Sequence, residues 1–373
     1  MRILLCQDMH ETKARPMTPV AILDLASYYR SLGHEVYCRS TDEATGGRFD
    51  IIGLSALSPT PDSLLANFTR LRPLCDRLVL GGKVTTRLRD TERKLIEEIA
   101  EIHYGPGETL FGNQYTLDGY PAWSMDDLKA MRICDGSLMS SRGCPYHCNF
   151  CNNTEDQVRR FPPARTARNI AILKRYGYHQ FHFLDDVFGL SVSYGRDIKK
   201  AIDDIGESID GKVRFFIHVR HVKTAIALIG LFHPCRVSIG IESGCDATLD
   251  SMNKGFTAEE ALLAVKTIYD ETHVCLYTMF ILGYPGESLT QLRETLDLIK
   301  TMHPYVAHCH ASFYQPVVGT VGYDMAMSRN PNMQDGGSNA EISWLDPLLR
   351  KHDLLAVKHE IELLNRQSAN VLD

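Results

Sequence analysis

Nowhere in the 373 residues does an apolar run approach the ~18 residues that a membrane-spanning helix needs. No run of five or more basic residues occurs either, and the formal net charge is −6. The electrostatic footprint of a nucleic-acid partner is therefore missing. The opening segment MRILLCQDMHE holds one apolar stretch, too short for the core of a secretory signal, and it meets amide and acid at once. It predicts a first buried strand. Together these absences lead to the expectation of a cytoplasmic protein with neither membrane nor nucleic acid among its partners. Cysteine usage excludes more. Three of the eleven cysteines are clustered, and the rest (Cys6, Cys38, Cys75, Cys134, Cys235, Cys245, Cys275, Cys309) show no second short spacing. That excludes a four-cysteine zinc site, argues against a second cluster, and leaves no disulfide framework. In RILLCQ and HVCLYTMF the neighbours are apolar, and most of the eight read as small buried hydrophobes.

What is present is ordinary in bulk and periodic in detail. Hydrophobic residues make up 44% and charged residues 23%, enough for a sizeable core. From Arg2 to about Gly112, strand-like runs (RILLC, EVYC, DIIGLSAL, RLVLGG, EIHYG) alternate with helical ones such as PVAILDLASYYRSLGH. This predicts a doubly wound parallel sheet over residues 1–112. Its crossover between Cys38 and Asp50 is too polar and glycine-rich for a good helix. Residues 113–134 lack sustained periodicity and read as a linker. From Asp135 six further strand–helix units follow without doubling back, predicting a partial six-stranded parallel barrel over 135–318. A helical extension follows over 319–373. In parallel barrels the chemistry gathers at the carboxyl ends of the strands. Those ends carry a cysteine loop, Asp185–Asp186, His218–Arg220, Glu242–Ser243, Gly283–Glu287 and Tyr314–Gln315.

The loop is SSRGCPYHCNFCNN, with Cys144, Cys148 and Cys151 spaced C-x3-C-x2-C. Three thiolates can serve a zinc ion completed by a distant histidine. They can also bind three irons of a four-iron cluster and leave one iron open. The second pattern, with Phe150 before the last cysteine, is the signature that this chain shares with the radical S-adenosylmethionine (SAM) superfamily, which it resembles. The resemblance implies a 4Fe–4S cluster whose open iron is chelated by the amino and carboxylate groups of SAM. It also implies reductive cleavage of SAM to a 5′-deoxyadenosyl radical, with electrons from a flavodoxin or ferredoxin. TMFILGYPGES then looks like the adenine-contacting strand and turn, with Gly283, Gly286 and Glu287 as contacts. RVSIGIESG resembles the strand whose Glu242 and Ser243 reach the ribose or methionine end, although Ser243 suits a helix cap equally. Arg220 is a candidate for the SAM carboxylate, or else a surface ion pair. Asp186 and Tyr314 are candidate catalytic residues.

Radical SAM chains with a preceding doubly wound domain resemble the cobalamin-binding class, and SLGHEVY, VLGG, YGPGE and ESGCDATLDSMNKGFT are in its style. Soluble cobalamin domains carry D-x-H-x-x-G, S-x-L and G-G. Here Asp8-Met9-His10 follows the first strand with Lys13 in place of glycine, and Ser55-Ala56-Leu57 and Gly81-Gly82 end later strands. The resemblance implies cobalamin held by Ser55, Gly81 and Gly82, with His10 as a cobalt ligand. The expected reaction is methyl transfer to an unreactive carbon or phosphorus of a small molecule. The alternative is radical dehydration, epimerisation or rearrangement, with the first domain a relic and His10 merely solvated.

Overall fold

The computed structural model describes residues 1–7, 18–44, 47–56, 61–113, 117, 120–153, 155, 157–331, 342 and 344–369. The chain divides into two compact units. One comprises Met1–Ser140, Arg159–His182 and Lys200–Ser208; the other comprises Ser141–Val158, Phe183–Lys199 and Ile209–Asp373.

In the first unit, strands β1 (Arg2–Gln7), β2 (Glu35–Ser40), β3 (Phe49–Ser55), β4 (Cys75–Gly81) and β5 (Glu101–Ile102) form a sheet in the order β2-β1-β3-β4-β5. All its pairings are parallel. Helices α1 (Val20–Ser31), α2 (Pro61–Leu71) and α3 (Asp90–Glu97) make three of the crossovers. Between β2 and β3 the described residues form one 3-10 turn, Thr41–Glu43, and no helix, as the polar, glycine-rich sequence predicts. Leu4, Ile52, Leu54, Phe68 and Leu80 pack into one core, the reason these strands read as continuous apolar runs. The strand order reverses between β1 and β3, and sheets of this kind bind ligands outside the carboxyl ends of the strands at that point.

Residues 113–134 contain a helix that periodicity did not reveal, α4 (Met125–Ala130). Six residues are too few to show a 3.6 repeat. Its start is set by Ser124, whose side chain accepts the Asp127 N–H at 3.1 Å. Helix α5 (Pro163–Tyr176) packs in the same unit, where Arg165 and Asp24 of α1 form a fully buried ion pair. Trp123 Nε1 donates to that carboxylate at 2.7 Å. Arg165 Nε also donates to the Pro121 carbonyl at 3.2 Å, while its Nη1 is buried with no hydrogen-bond partner among the described residues.

A second sheet follows the chain without reversal. Its strands are β6 (Ser137–Leu138), β9 (Phe181–Phe183), β10 (Val213–Ile217), β11 (Arg236–Glu242), β12 (Leu276–Leu282) and β13 (His308–Phe313), ordered β13-β12-β11-β10-β9-β6. The short strands β7 (Ser141–Arg142) and β8 (Arg159–Arg160) pair apart from it. Chain order, with β10 to β13 paired parallel, is the order of an open six-stranded barrel. Helices α6 (Val192–Asp204), α7 (Val222–Phe232), α8 (Asp246–Ser251), α9 (Ala258–Thr272) and α10 (Leu289–Met302) lie between its strands. Helices α11 (Val321–Arg329) and α12 (Lys351–Ala369) form the carboxyl-terminal extension. The last helix covers the free edge of β13. Asn365 accepts the Cys309 N–H at 2.9 Å and returns an amide N–H to the Cys309 carbonyl at 2.8 Å. One side-chain amide thus takes the place of a further strand.

Candidate active site

The cysteine loop lies between β7 and β8, and its first residue admits only glycine. Gly143 sits at φ +96°, and a Cβ there would collide with the Gln157 carbonyl oxygen. Its N–H donates to Asp186 Oδ2 at 3.0 Å, while Ser141 Oγ donates to the buried Asp185 at 2.5 Å. The two acids that end β9 therefore brace the entry of the loop. Farther along, Asn149 N–H donates to the Met252 carbonyl (2.9 Å) and Asn149 Nδ2 to the Ser251 carbonyl (2.8 Å). Asn253 Nδ2 donates to the His147 carbonyl at 2.7 Å. The residues between the cysteines thus tie the loop to the end of α8.

Cys144 and Cys148 are half-buried and Cys151 is exposed. Burial pushes the Cys148 thiol up to about 11, against the pull of the Lys254 ammonium. Among the described residues no three His, Cys, Asp or Glu side chains converge tightly enough for a single metal ion. Three thiols on one loop are nevertheless the donor type that iron–sulfur clusters take.

Beside the loop, the sequence candidate Glu242 pairs with Lys254, a residue that sequence reasoning missed. Lys254 is 4% exposed, and its Nζ sits 3.3 Å from Glu242 Oε1. It also lies 5.7 Å from the Phe150 ring centroid and 5.3 Å from that of Phe256. Glu242 has φ +76°, a left-handed conformation unusual for a strand residue, at a register shift between β11 and β12. The twist folds its carboxylate over Gly240, where a Cβ would strike Oε1. Nothing in MNKGF singles this lysine out; only the packing buries it.

The other sequence candidates divide. Arg220 is exposed and lies over the Tyr146 ring at 5.2 Å. Tyr146 in turn stacks on His218 at 4.1 Å and hydrogen-bonds His221. His218 Nδ1 accepts the Arg220 N–H at 3.2 Å. Burial first, then Lys254 and its neighbours, push its pKa down to about 3, so it is a neutral ring. The Ser243 hydroxyl is fully buried, 3.0 Å from Thr295 Oγ1, and accepts the Cys245 N–H at 3.2 Å. Tyr314 is buried among Tyr284, Trp344 and Met252. Phe150 packs against that same cluster.

Two carboxylates shape the glycine turn after β12. Glu287 accepts the Gly283 N–H at 2.6 Å and Asp346 accepts the Gly286 N–H at 2.8 Å, with Arg329 paired to Asp346. Gly283 (φ +82°) and Gly286 (φ +87°) provide the turn. Glu287 is 1% exposed, and burial lifts its pKa from 4.5 to about 8. Between those values the folded chain keeps a proton that the unfolded chain has released, so stability falls as pH rises through that window. Thermal melts of Glu287→Gln should therefore show a flatter dependence on pH between 5 and 8 than the parent chain. Parallel profiles would refute the buried acid.

In the first unit Ser55 and Gly81 are register partners, and the Ser55 hydroxyl lies 3.1 Å from where a Cβ on Gly82 (φ +84°) would stand. The structure brings these three together at the carboxyl end of the sheet. His10, with Asp8 and Lys13, lies outside the described residues.

Residues 138–299 match the model of the radical SAM superfamily. That span is a radical SAM domain by its likeness to the superfamily. That superfamily works with SAM and a 4Fe–4S cluster, and its matched span runs from β6 into α10. A protein of Pyrococcus horikoshii named as an uncharacterized methyltransferase is 27% identical over 241 residues, 63% of this chain and 51% of its own. The tRNA-2-methylthio-N(6)-dimethylallyladenosine synthase of Staphylococcus aureus is 30% identical over 188 residues, 46% of this chain and 35% of its own. The chain thus spans about half or less of these curated relatives. The cobalamin-dependent SAM radical enzyme OxsB superposes with a TM-score of 0.74 at 15% identity, covering 96% of this chain and 66% of its own. The radical SAM methyltransferase TsrM from Kitasatospora setae gives 0.68 at 15%, covering 96% and 84%. At that identity these are likenesses of fold.

Proposed function

We propose that this radical SAM chain is a cobalamin-dependent enzyme that transfers a methyl group to an unactivated carbon or phosphorus of a small molecule. The observation that carries the radical reading is a three-thiol loop braced by Asp185 and Asp186 beside a buried lysine–glutamate pair. Cys144, Cys148 and Cys151 hold the 4Fe–4S cluster. Lys254 offers the SAM carboxylate a desolvated positive charge, a role its burial suits better than the exposed Arg220. Glu242 takes the amino or ribose end. Phe150 and the Gly283–Gly286 turn wall the nucleoside, with Glu287 shaping the turn from behind. Asp186 acts by positioning the loop, and Ser243 by fixing the end of β11 on α10. Tyr314 lines the wall behind Phe150.

When bound, these groups supply one-electron cleavage of SAM and a methyl group for transfer. For cobalamin, the support is the likeness of fold to OxsB and TsrM over 96% of this chain and the named methyltransferase relative. The grouping of Ser55, Gly81 and Gly82 at a sheet end adds to it. An electron donor of flavodoxin or ferredoxin type completes the cycle. The test is anaerobic cluster reconstitution with hydroxocobalamin, followed by desalting and a visible spectrum. Stoichiometric corrinoid should remain with the protein. Its loss would overturn methyl transfer and leave cobalamin-free radical chemistry, such as dehydration, epimerisation or rearrangement.

A further inference from the structure

Strand β13 is the edge strand that Asn365 clamps, and its two faces differ sharply. Cys309, Ala311 and Phe313 are buried, whereas His310 is exposed and His308 and Ser312 are half-exposed. On β12, Tyr277, Met279 and Ile281 alternate in the same way with buried neighbours. The register pairs Tyr277 with His308, Met279 with His310 and Ile281 with Ser312, and pairs Ser238 and Gly240 of β11 with Tyr277 and Met279. All these residues therefore share one face, open except at the buried Ser238. A face that packs a core is apolar, but this one carries two imidazoles, a hydroxyl, a phenol and a guanidinium.

The groups form a continuous line. His310 Nε2 lies 3.0 Å from Ser312 Oγ. The His308 ring lies 6.4 Å from His310 and 5.1 Å from Tyr277. The Arg236 guanidinium lies 4.8 Å over Tyr277, and its Nε is buried with no hydrogen-bond partner among the described residues. No ion pair engages Arg236 among them. On this face of β11–β13 the one carboxylate is Glu242, already paired with Lys254. A donor-rich wall with one guanidinium charge and no free acid is arranged for an anion.

We propose that this wall binds an oxyanion of the substrate, a carboxylate or phosphate-type group, with His308, His310 and Ser312 as donors and Arg236 as the fixed charge. Calling the anion part of the substrate rests on the radical reading above; the binding itself does not. The placement suits that reading. The Glu242 carboxylate lies over Gly240, which shares a row with Met279 and His310 two strands away, about 10 Å at ordinary strand spacing. A small metabolite can span that interval.

The test is diethyl pyrocarbonate modification of the reconstituted full chain under anaerobic conditions, mapped by peptide mass, with and without inorganic phosphate or succinate. The His352 side chain, 89% exposed, is the reference. An anion at ten times its Kd should slow labelling of His308 and His310 about tenfold relative to His352. Greater protection by phosphate points to a phosphate-type group, and greater protection by succinate to a carboxylate. Arg236→Gln should abolish most of the protection, and in His310→Gln the protection of His308 should weaken. Equal labelling with and without both anions would overturn the proposal, as would undiminished protection in Arg236→Gln. 5′-Deoxyadenosine measured in the same preparation keeps the readings separate. Protection without cleavage counts against the radical reading alone, and cleavage without protection counts against the anion wall alone.

Discussion

Cys148→Ala should abolish 5′-deoxyadenosine formation from SAM under reducing, anaerobic conditions. The loss should exceed the ~10–100-fold that removing an outer partner of a metal ligand costs, because a ligand itself is removed. The fold should survive the change. Cys148 is half-buried, and the loop is held by Gly143, Asn149 and Asn253 through bonds that use no Cys148 sulfur. Iron content should fall while circular dichroism and the melting profile of the iron-free protein stay near those of the parent. Persistent 5′-deoxyadenosine would refute the assignment of the cluster to this loop. Unfolding of the variant would show instead that the thiol is part of the core, against its exposure.

The second large effect is expected at Lys254. Lys254→Met leaves Glu242 with its charge beside the half-buried thiols and no cation at 3.3 Å. Breaking one side of a buried pair costs about 3–5 kcal/mol. For a chain of this size that is a fall in Tm of roughly 5 °C. The double variant Lys254→Met/Glu242→Gln removes both charges and should regain much of that loss, since an apolar or neutral replacement of a buried pair is often tolerated. SAM affinity separates stability from function. If Lys254 meets the SAM carboxylate, both variants bind SAM ~10–100-fold more weakly, the value of one charge-assisted hydrogen bond. Binding restored together with stability in the double variant would show that the pair is structural alone.

Much of the architecture was legible because its causes are local. Helix α9 announces itself by Thr257 and Glu260, which form the reciprocal cap that a T-x-x-E pattern predicts, and α10 does so through Ser288 and Gln291. Strand β12 alternates buried and half-exposed residues along its whole length. The three cysteines were found by spacing, which sequence states directly. Helix α4 was missed because six residues carry too little periodicity, and α8 for the same reason.

The site itself was legible only in part. Ser243 and Glu242 are adjacent in sequence, yet one hydroxyl is spent on Thr295 while the other side chain folds over Gly240 beside the thiols. A left-handed φ and a register shift send them different ways, and neither is written in RVSIGIESG. Asp346, which holds the Gly286 N–H, stands sixty residues from its partner.

What the sequence by itself determined is the order of strands and helices and the cysteine spacing, because hydrophobic period, caps and ligand separation act over a few residues. What only the tertiary structure decided is which polar groups lost their water. Lys254 is ionic and buried, Arg220 ionic and exposed, and His308 and His310 meet Arg236 on one open face because parallel strands set side by side residues that the chain keeps about seventy apart. Desolvation and strand register depend on every neighbour at once, and a single stretch of sequence does not contain them.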